Sequence, residues 1–247
     1  MNERRPVAVV TGASSGIGAA TATRLASEGF DIVAGARRVE RAAEVVTPFG
    51  GRALQLDVTD PESVQAFAGA IERVDVLVNN AGKALGMEKM AELSDENARE
   101  MWETNVLGVI SVTRAFLPKL ERAGGHIVNL GSTAGLEAYP GGGGYTASKH
   151  ALRALTKTLR LELVGKPIRI TEVLPGLVQT EFANVRFAQD EGRAAKVYEG
   201  IDPLTADDIA DCIAWAVTRP PHVDIDEIVV RPVAQATSTV VARRNKN

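Results

Sequence analysis

The sequence contains little cysteine and little histidine, and this scarcity excludes several kinds of site. Cys212 is the only cysteine among 247 residues, so neither an intrachain disulfide nor a cysteine-rich metal site can form. The three histidines, His126, His150 and His222, lie far apart and lack the spacing of metal ligands. We therefore expect no bound metal, and we expect a reducing, cytoplasmic location.

Long apolar runs and a strong charge of either sign are also absent. The residues before the first apolar segment include no hydrophobic signal sequence, and no apolar run approaches the ~18 residues that span a bilayer. A formal net charge of −3 gives no reason to propose nucleic acid as a partner. The 45% apolar content is typical of a soluble globular protein, so we expect neither a membrane nor a nucleic-acid partner.

Short apolar segments alternate with helical patterns along the whole chain. The segments predicted as strands are 6–10, 31–36, 51–56, 74–78, 126–130, 168–174 and 227–230. Helical patterns fill most of the intervals, including a long one over 95–120 and another over 206–217. This alternation predicts an α/β fold with a doubly wound parallel sheet. Because we find no repeat and no linker, we predict a single domain over 1–247.

A glycine-rich turn follows the first predicted strand, over residues 11–18. Gly12, Gly16 and Gly18 allow the backbone to turn sharply and to approach a ligand closely. The helix that follows offers free N–H groups and the positive end of its dipole to a phosphate. Between a strand and a helix near the N-terminus, this pattern predicts a dinucleotide site.

Two arginines follow the second predicted strand. An NAD site usually ends this strand with an acidic residue that binds the ribose diol, but here Ala36 occupies the place and Arg37 and Arg38 follow. Guanidinium groups pair bidentately with phosphate, which favours the 2′-phosphate of NADP. The alternative is that both arginines merely begin a solvated helix.

Tyr145 and Lys149 are four residues apart, so they share one face of a helix. A phenol has a reference pKa of about 10, and an ammonium one turn away lowers that pKa by stabilising the phenolate. Such a tyrosine can act as a general acid or base. A tyrosine in the core beside an exposed lysine is the alternative for this pattern alone.

The ordered set of motifs resembles the short-chain dehydrogenase/reductase family. Its markers are the turn at 11–18, the segment 79–82, Asn105, Ser132, the Tyr145/Lys149 pair and Pro175 with Gly176. The resemblance covers essentially the whole chain. It implies a Rossmann-type sheet of seven parallel strands, nicotinamide-dependent hydride transfer, and a dimer or tetramer.

The resemblance also implies roles for individual residues. Tyr145 would be the acid/base group on the substrate oxygen, Ser132 would bind the same oxygen, and Lys149 would lower the tyrosine pKa and hold the nicotinamide ribose. Asn105 would hold a water that links Lys149 to solvent. The implied cofactor contacts, besides Tyr145 and Lys149, are Gly12, Ser14, Ser15, Gly16, Ile17, Gly18, Arg37, Arg38, Asp57, Val58, Asn79, Ala81, Gly82, Pro175, Gly176, Val178 and Thr180.

The segment 180–204 is similar to the corresponding segment of the NADP-dependent 3-hydroxy acid dehydrogenase branch, which includes serine 3-dehydrogenase-like enzymes. We predict that this segment is a substrate lid that orders when ligand binds. Arg186 is a candidate clamp for a substrate carboxylate, and a solvated lid arginine is the alternative. Lys83 replaces an expected neutral residue, so it either contacts the anion as well or alters the pocket. The loop 176–180 is about one residue shorter than in that branch.

Three functions remain open at this stage. The first is an NADP-dependent dehydrogenase of small 3-hydroxy acids, and the second is an NADPH-dependent reductase of a larger, apolar ketone. The third is a non-catalytic NADP-binding module. By analogy, helices over 95–120 and 145–162 would form a subunit contact, and we expect the basic tail 242–247 to be frayed.

Overall fold

Seven parallel strands form one sheet in the computed structural model, which describes residues 5–188 and 190–244. The sheet order is β3-β2-β1-β4-β5-β6-β7, and every neighbouring pair is parallel. The strands are β1 (Val7–Thr11), β2 (Asp31–Ala36), β3 (Arg52–Gln55), β4 (Val76–Asn79), β5 (His126–Leu130), β6 (Arg169–Pro175) and β7 (Glu227–Val230). The predicted doubly wound parallel sheet is therefore confirmed.

Helices cover both faces of this sheet and bury its apolar strands. They are α1 (Gly16–Ser27), α2 (Val39–Val46), α3 (Pro61–Gly69), α4 (Asp95–Trp102), α5 (Gly108–Ala123), α6 (Gly143–Glu162), α7 (Phe182–Arg186), α8 (Glu191–Tyr198) and α9 (Ala206–Val217). One apolar layer joins the sheet to α1, α2 and α9, and a second joins it to α3 and α5. Among the described residues, no helix is both long enough and apolar enough to cross a membrane.

The direction of winding reverses between β1 and β4. The chain moves outward from β1 to β3 and then returns to β4 on the other side of β1. In open α/β sheets a crevice forms outside the carboxyl ends of the strands at such a reversal. The glycine-rich turn after β1 and the segment after β4 therefore meet at this crevice.

Two regions differ in detail from the sequence-based prediction. The predicted helix over 95–120 consists of α4, a π-helical turn at Glu103–Leu107 and α5, and the turn includes Asn105. The polar segment after β6, predicted as a lid, contains the two short helices α7 and α8. Ala183, Phe187 and Ala194 are buried in a small apolar cluster that holds these two helices together. This cluster explains why the segment is helical despite its charge.

The basic tail is also more ordered than expected. Arg243 Nη2 donates to the carbonyl of Val197 at 3.1 Å, and the backbone N–H of Arg244 donates to the carbonyl of Gly200 at 2.8 Å. The prediction of a frayed tail is therefore wrong for 242–244, because these arginines bind backbone carbonyls at the end of the lid. Residues 245–247 lie outside the described part of the chain.

Candidate active site

A cleft of about 1350 Å³ opens at the carboxyl edge of the sheet. Most of the residues expected to bind cofactor or substrate line it. They are Gly12, Ser14, Ser15, Gly16, Ile17, Arg37, Arg38, Asp57, Val58, Ala81, Gly82, Lys83, Ser132, Tyr145, Lys149, Pro175, Gly176, Val178, Thr180 and Arg186. The volume is sufficient for a dinucleotide with a small substrate beside it.

Three of the expected residues lie behind the wall of the cleft. Asn79 was expected to line the adenosine side and to tie neighbouring strands together; only the second role is seen, since its Nδ2 donates to Asn129 Oδ1 at 2.9 Å inside the sheet. It therefore ties β4 to β5, while Asn80 lines the cleft.

Gly18 packs too tightly for any side chain, since an added Cβ would lie 2.5 Å from the carbonyl oxygen of Gly12. Asn105 is buried behind the loop after β4.

The glycine-rich turn has the geometry of a phosphate cradle. Gly12 and Gly16 have positive φ angles of 67° and 55°, which other residues adopt only with strain. A Cβ at Gly12 would lie 3.0 Å from the Cα of Ala81. Within the described chain no side chain caps α1, and its first turn has no acidic residue. Its first N–H groups are therefore available to an anion.

Arg38 belongs to a small anion-binding cluster at the edge of the cleft. Its Nη2 donates to Ser15 Oγ at 2.9 Å and to Glu181 Oε2 at 3.2 Å. Arg41 Nη2 donates to Glu181 Oε1 at 2.8 Å. The hydrogen bond from Arg41, followed by that from Arg38, holds the pKa of Glu181 below its usual value. Sequence reasoning missed Arg41, although it lies three residues after Arg38 on α2.

Asp57 lies two residues after the end of β3 and lines the same cleft as Arg38. Burial raises the pKa of Asp57. Hydrogen bonds from the backbone and hydroxyl of Thr59 lower this pKa, as do the charges of Arg37 and Lys83, and together they outweigh the effect of burial. The net pKa is below the usual value, so the carboxylate is ionised at neutral pH and can accept a hydrogen bond.

Tyr145 and Lys149 lie on one face of α6, as their spacing predicted, and both are buried. Lys149 Nζ donates to the carbonyl of Leu130, the last residue of β5, at 2.7 Å. The same ammonium lies 5.9 Å from the centre of the Tyr145 ring. The alternative of an exposed lysine is therefore excluded, and both side chains reach the cleft.

The pKa of Tyr145 is shifted in the opposite direction from our expectation. Burial raises the pKa of the Tyr145 phenol to about 12, and a hydrogen bond with Ser132 and the charge of Arg186 lower it by less. The expectation of a lowered pKa is therefore wrong for this geometry, because the loss of solvent outweighs the Ser132 hydrogen bond and the charge of Arg186. Burial also lowers the pKa of Lys149 to about 8, against an opposing effect of Glu172.

Asn105 fixes the loop after β4 against α6. Its Nδ2 donates to the carbonyl of Lys83 at 2.8 Å and to Ser148 Oγ at 3.0 Å, and its Oδ1 accepts from the backbone of Lys83 at 2.9 Å. A Cβ on Gly82 would lie 3.2 Å from Asn105 Oδ1 and 3.8 Å from Lys149 Nζ. The π-helical turn thus brings Asn105 close to the catalytic lysine candidate, as π-bulges often do at functional sites.

Ser132 begins a short 3₁₀ turn, Thr133–Gly135, directly after β5. Its Oγ accepts a hydrogen bond from the backbone N–H of Ala134 at 3.1 Å. This contact orients the Ser132 hydroxyl toward the cleft that the Tyr145 phenol also lines. A hydrogen bond with the Ser132 hydroxyl lowers the pKa of that phenol. Ser132 and Tyr145 can therefore both contact one substrate oxygen.

Arg186 projects from α7 into an aromatic wall of the cleft. Its Nε donates to the carbonyl of Gly86 at 2.9 Å, and its Nη1 donates to Tyr139 Oη at 3.1 Å. Its guanidinium carbon lies 5.7 Å from the centre of the Tyr145 ring. The remaining Nη2 is buried without a hydrogen-bond partner among the described residues. A buried donor without a partner is costly, so this nitrogen marks a place for an acceptor.

Lys83 is directed to a different partner. Its Nζ forms an ion pair with Glu100 Oε2 at 2.8 Å, and its side chain is only 16% exposed. A carboxylate of the chain thus already neutralises the ammonium. No group of three or more metal-ligating side chains occurs among residues 5–188 and 190–244.

Comparisons with known proteins agree with this geometry. Residues 6–191 match the family described as short chain dehydrogenase. An uncharacterized oxidoreductase of Mycobacterium tuberculosis (strain H37Rv) is 55% identical over 237 residues, which cover 96% of this chain and 94% of the relative. The NADP-dependent 3-hydroxy acid dehydrogenase YdfG of Escherichia coli (strain K12) is 40% identical over 238 residues, which cover 93% of this chain and 96% of the relative.

The fold also matches solved structures. The closed form of a serine dehydrogenase complexed with NADP⁺ superposes with a TM-score of 0.91 at 38% identity, covering 97% of this chain and 100% of that one. A serine dehydrogenase from Escherichia coli gives a TM-score of 0.81 at 34% identity, covering 93% of this chain and 99% of that one.

Proposed function

Because the chain belongs to the short-chain dehydrogenase/reductase family, we propose that it transfers a hydride between NADP and a small 3-hydroxy acid or the matching carbonyl compound. It is an oxidoreductase, and its relatives include an NADP-dependent 3-hydroxy acid dehydrogenase and a serine dehydrogenase solved with NADP⁺. The observation that carries the choice of substrate is the buried, unpartnered Nη2 of Arg186 beside Tyr145.

The cleft offers a site for each of the two phosphate-bearing parts of NADP. The positive-φ turn at Gly12 and Gly16 and the free N-terminus of α1 suit the pyrophosphate. Arg38, which also donates to Ser15 Oγ, and Arg41 already bind a carboxylate, and their guanidinium groups suit the 2′-phosphate. When bound, the nicotinamide supplies or accepts the hydride.

The residues of the chain then control the proton and the orientation of substrate. Since burial keeps the Tyr145 phenol protonated at neutral pH, it serves as the acid that protonates the carbonyl oxygen during reduction. Ser132 holds the same oxygen. Lys149 supplies the positive charge that stabilises a phenolate after the proton has left, and it is fixed by the carbonyl of Leu130.

Arg186 sets the distance between the reacting centre and an acid group. Its guanidinium carbon lies 5.7 Å from the Tyr145 ring centre, and two of its three nitrogens are held by Gly86 and Tyr139. A guanidinium fixed in this way loses little freedom when it binds a carboxylate. The separation suits a short molecule that carries a hydroxyl near its carboxylate.

The test compares acids with their neutral counterparts. Serine and other short 3-hydroxy acids are assayed against their methyl esters with NADP and with NAD, and product is followed at the nicotinamide absorbance. We expect turnover of the acids with NADP and little turnover of the esters. Arg186→Met keeps the length and packing of the side chain but removes the charge. It should lower kcat/KM for the acids about 10- to 100-fold. Equal activity of Arg186→Met and the parent enzyme on the acids would disprove the clamp.

An apolar wall favours a second candidate, a reductase of larger ketones. Tyr139, Phe182, Phe187 and Met87 line the cleft near Tyr145. Turnover of bulky neutral ketones with NADPH, unchanged in Arg186→Met, would support this second function over the first.

A further inference from the structure

Glu172 is a buried carboxylate that the proposed reaction does not yet use. It lies in the middle of β6 and has 0% of its surface exposed. Neither of its carboxylate oxygens has a hydrogen-bond partner among the described residues. Burying an unpaired carboxylate is strongly unfavourable, so a side chain of this kind requires a compensating charge or a function.

The carboxylate packs against Gly131, the residue after β5. A Cβ on Gly131 would lie 2.6 Å from Glu172 Oε1, so only glycine leaves room for the carboxylate at this position. The preceding residue is Leu130, whose carbonyl accepts the hydrogen bond from Lys149 Nζ. Glu172 therefore lies directly behind the peptide segment that anchors the active-site ammonium.

Charged groups face Glu172 from two neighbouring elements. They are Lys149, Arg153 and Arg160 on α6 and Glu227 on β7. Arg153 Nη2 pairs with Glu227 Oε2 at 2.9 Å, and Arg160 Nε lies 3.2 Å from Asp226 Oδ1. The two arginines are thus engaged by carboxylates nearer the surface. Lys149, in contrast, forms no ion pair among the described residues: its ammonium donates to the neutral carbonyl of Leu130 and lies 5.9 Å from the centre of the Tyr145 ring.

We propose that Glu172 is a positioning residue for the reaction, which keeps the Lys149 ammonium charged and directed toward the cleft from behind the β5 terminus. The inference rests on the proposed roles of Tyr145 and Lys149 and adds a residue that touches neither substrate nor cofactor. Lys149 is buried, and a buried ammonium without a nearby anion loses its proton readily. Glu172 provides that anion.

The titration behaviour of the pair agrees with this geometry. Burial raises the pKa of Glu172 to about 7, with an opposing effect of Arg153 and a smaller one of Lys149. Burial lowers the pKa of Lys149 to about 8, and Glu172 raises it. Glu172 therefore becomes negative in the pH range where Lys149 would otherwise become neutral. Removing the carboxylate should lower the pH at which Lys149 loses its proton.

The experiment measures NADPH binding against pH, which needs no knowledge of the physiological substrate. Dissociation constants are measured by nucleotide fluorescence between pH 6 and 10 for the parent enzyme, Glu172→Gln, Lys149→Met and Glu227→Gln. The parent should lose affinity in an alkaline transition, and Lys149→Met should remove that transition. Glu172→Gln should lower its apparent pKa by about one unit. Glu227→Gln neutralises another carboxylate facing the same arginine and should leave the transition in place.

The outcomes separate this inference from the proposed function. If Lys149→Met removes the transition but Glu172→Gln does not move it, the role of Glu172 is disproved while the role of Lys149 stands. If the transition persists in Lys149→Met, the proposed role of the lysine fails first. If Glu172→Gln does not fold, Glu172→Asp takes its place, because it keeps the carboxylate but shortens the side chain by one methylene. A smaller downward shift in that variant supports the inference, and an unchanged transition overturns it.

Discussion

Arg41 and Glu181 are joined by an ion pair of 2.8 Å across 140 residues of sequence. The pair connects α2, at the edge of the cofactor cleft, with the first residues of the lid. Arg38 shares the same carboxylate. The two guanidiniums thus form an anion site whose present ligand is a side chain of the protein itself.

This anion site predicts how the cofactor is chosen. Arg41→Ala should raise the KM for NADP about 10-fold, because a charge-assisted hydrogen bond to phosphate is lost. The KM for NAD, which lacks that phosphate, should stay the same. Steady-state kinetics with both cofactors provide the measurement. Arg52→Ala, at an exposed arginine on β3 outside the cleft, is the matched control, and equal effects on NADP and NAD would contradict the assignment.

The Tyr145 phenol is expected to be the essential proton donor. Tyr145→Phe removes one oxygen and should reduce kcat at least about 100-fold, the contribution typical of a positioned general acid. NADPH affinity, measured by fluorescence, should change little. Because burial raises the pKa of Tyr145 to about 12, the donor stays protonated through neutral and mildly alkaline pH. A Tyr145→Phe enzyme with near-normal turnover would refute the mechanism.

His126 makes the stability of the fold depend on pH. It is 1% exposed in β5, where its Nε2 lies 2.8 Å from Thr171 Oγ1. Burial, with a smaller effect of Arg169, lowers the pKa of His126 to about 3. The unfolded chain takes up this proton below about pH 6.5, whereas the folded chain does so only near pH 3. Stability is therefore complete above pH 6.5 and decreases as the pH falls toward 3.

This dependence can be measured by thermal unfolding between pH 7 and pH 4.5. The histidine should cost about 1.4 kcal/mol per pH unit below 6.5. His126→Gln should weaken the pH dependence, which is judged from the slope and not from the stability at pH 7. His222→Gln, at an exposed histidine, should leave the slope as it is. Identical slopes for the parent and His126→Gln would show that another group is responsible.

The lid provides a prediction about ligand binding. Its apolar cluster contains only three buried residues, Ala183, Phe187 and Ala194, so its local stability should be low. We expect trypsin to cleave at Arg193 or Lys196 more slowly when NADP and a 3-hydroxy acid are both present. Cleavage rates followed by mass spectrometry test this, and equal rates in all conditions would argue against a lid that orders on binding.

Exposed apolar residues on the α4–α5 region support the expected subunit contact. Trp102 is 44% exposed and Leu107 is 47% exposed. Exposed apolar side chains of this size suit an interface. We expect the parent protein to sediment as a dimer or tetramer, and Leu107→Glu should shift it toward the monomer. A parent protein that sediments as a monomer would remove this prediction.

The sequence allowed the sheet and the central site pair to be predicted because both depend on local patterns. Buried parallel strands appear as continuous apolar segments, and residues four apart on a helix share a face. The spacing of Tyr145 and Lys149 therefore placed both side chains correctly.

What could not be predicted depends on contacts between distant parts of the chain. The direction of the Tyr145 pKa shift is set by burial, which spacing does not reveal. The pairing of Arg41 with Glu181, and the position of Glu172 behind Gly131, arise only when separate elements pack together. The adenosine contact was assigned to Asn79 in place of Asn80 for a similar reason, because the two residues occupy adjacent positions and only the pleat of β4 decides which faces inward.

The short helix α7 links the two anion-binding sites of the cleft. Glu181, which pairs with Arg38 and Arg41, directly precedes this helix, and Arg186 ends it five residues later. A 2′-phosphate that competes with Glu181 for Arg41 and Arg38 would act on the same short helix that presents Arg186. Kinetics should therefore follow a compulsory sequence in which the nucleotide enters first and leaves last. Product inhibition patterns would then be competitive only between the two nucleotide forms.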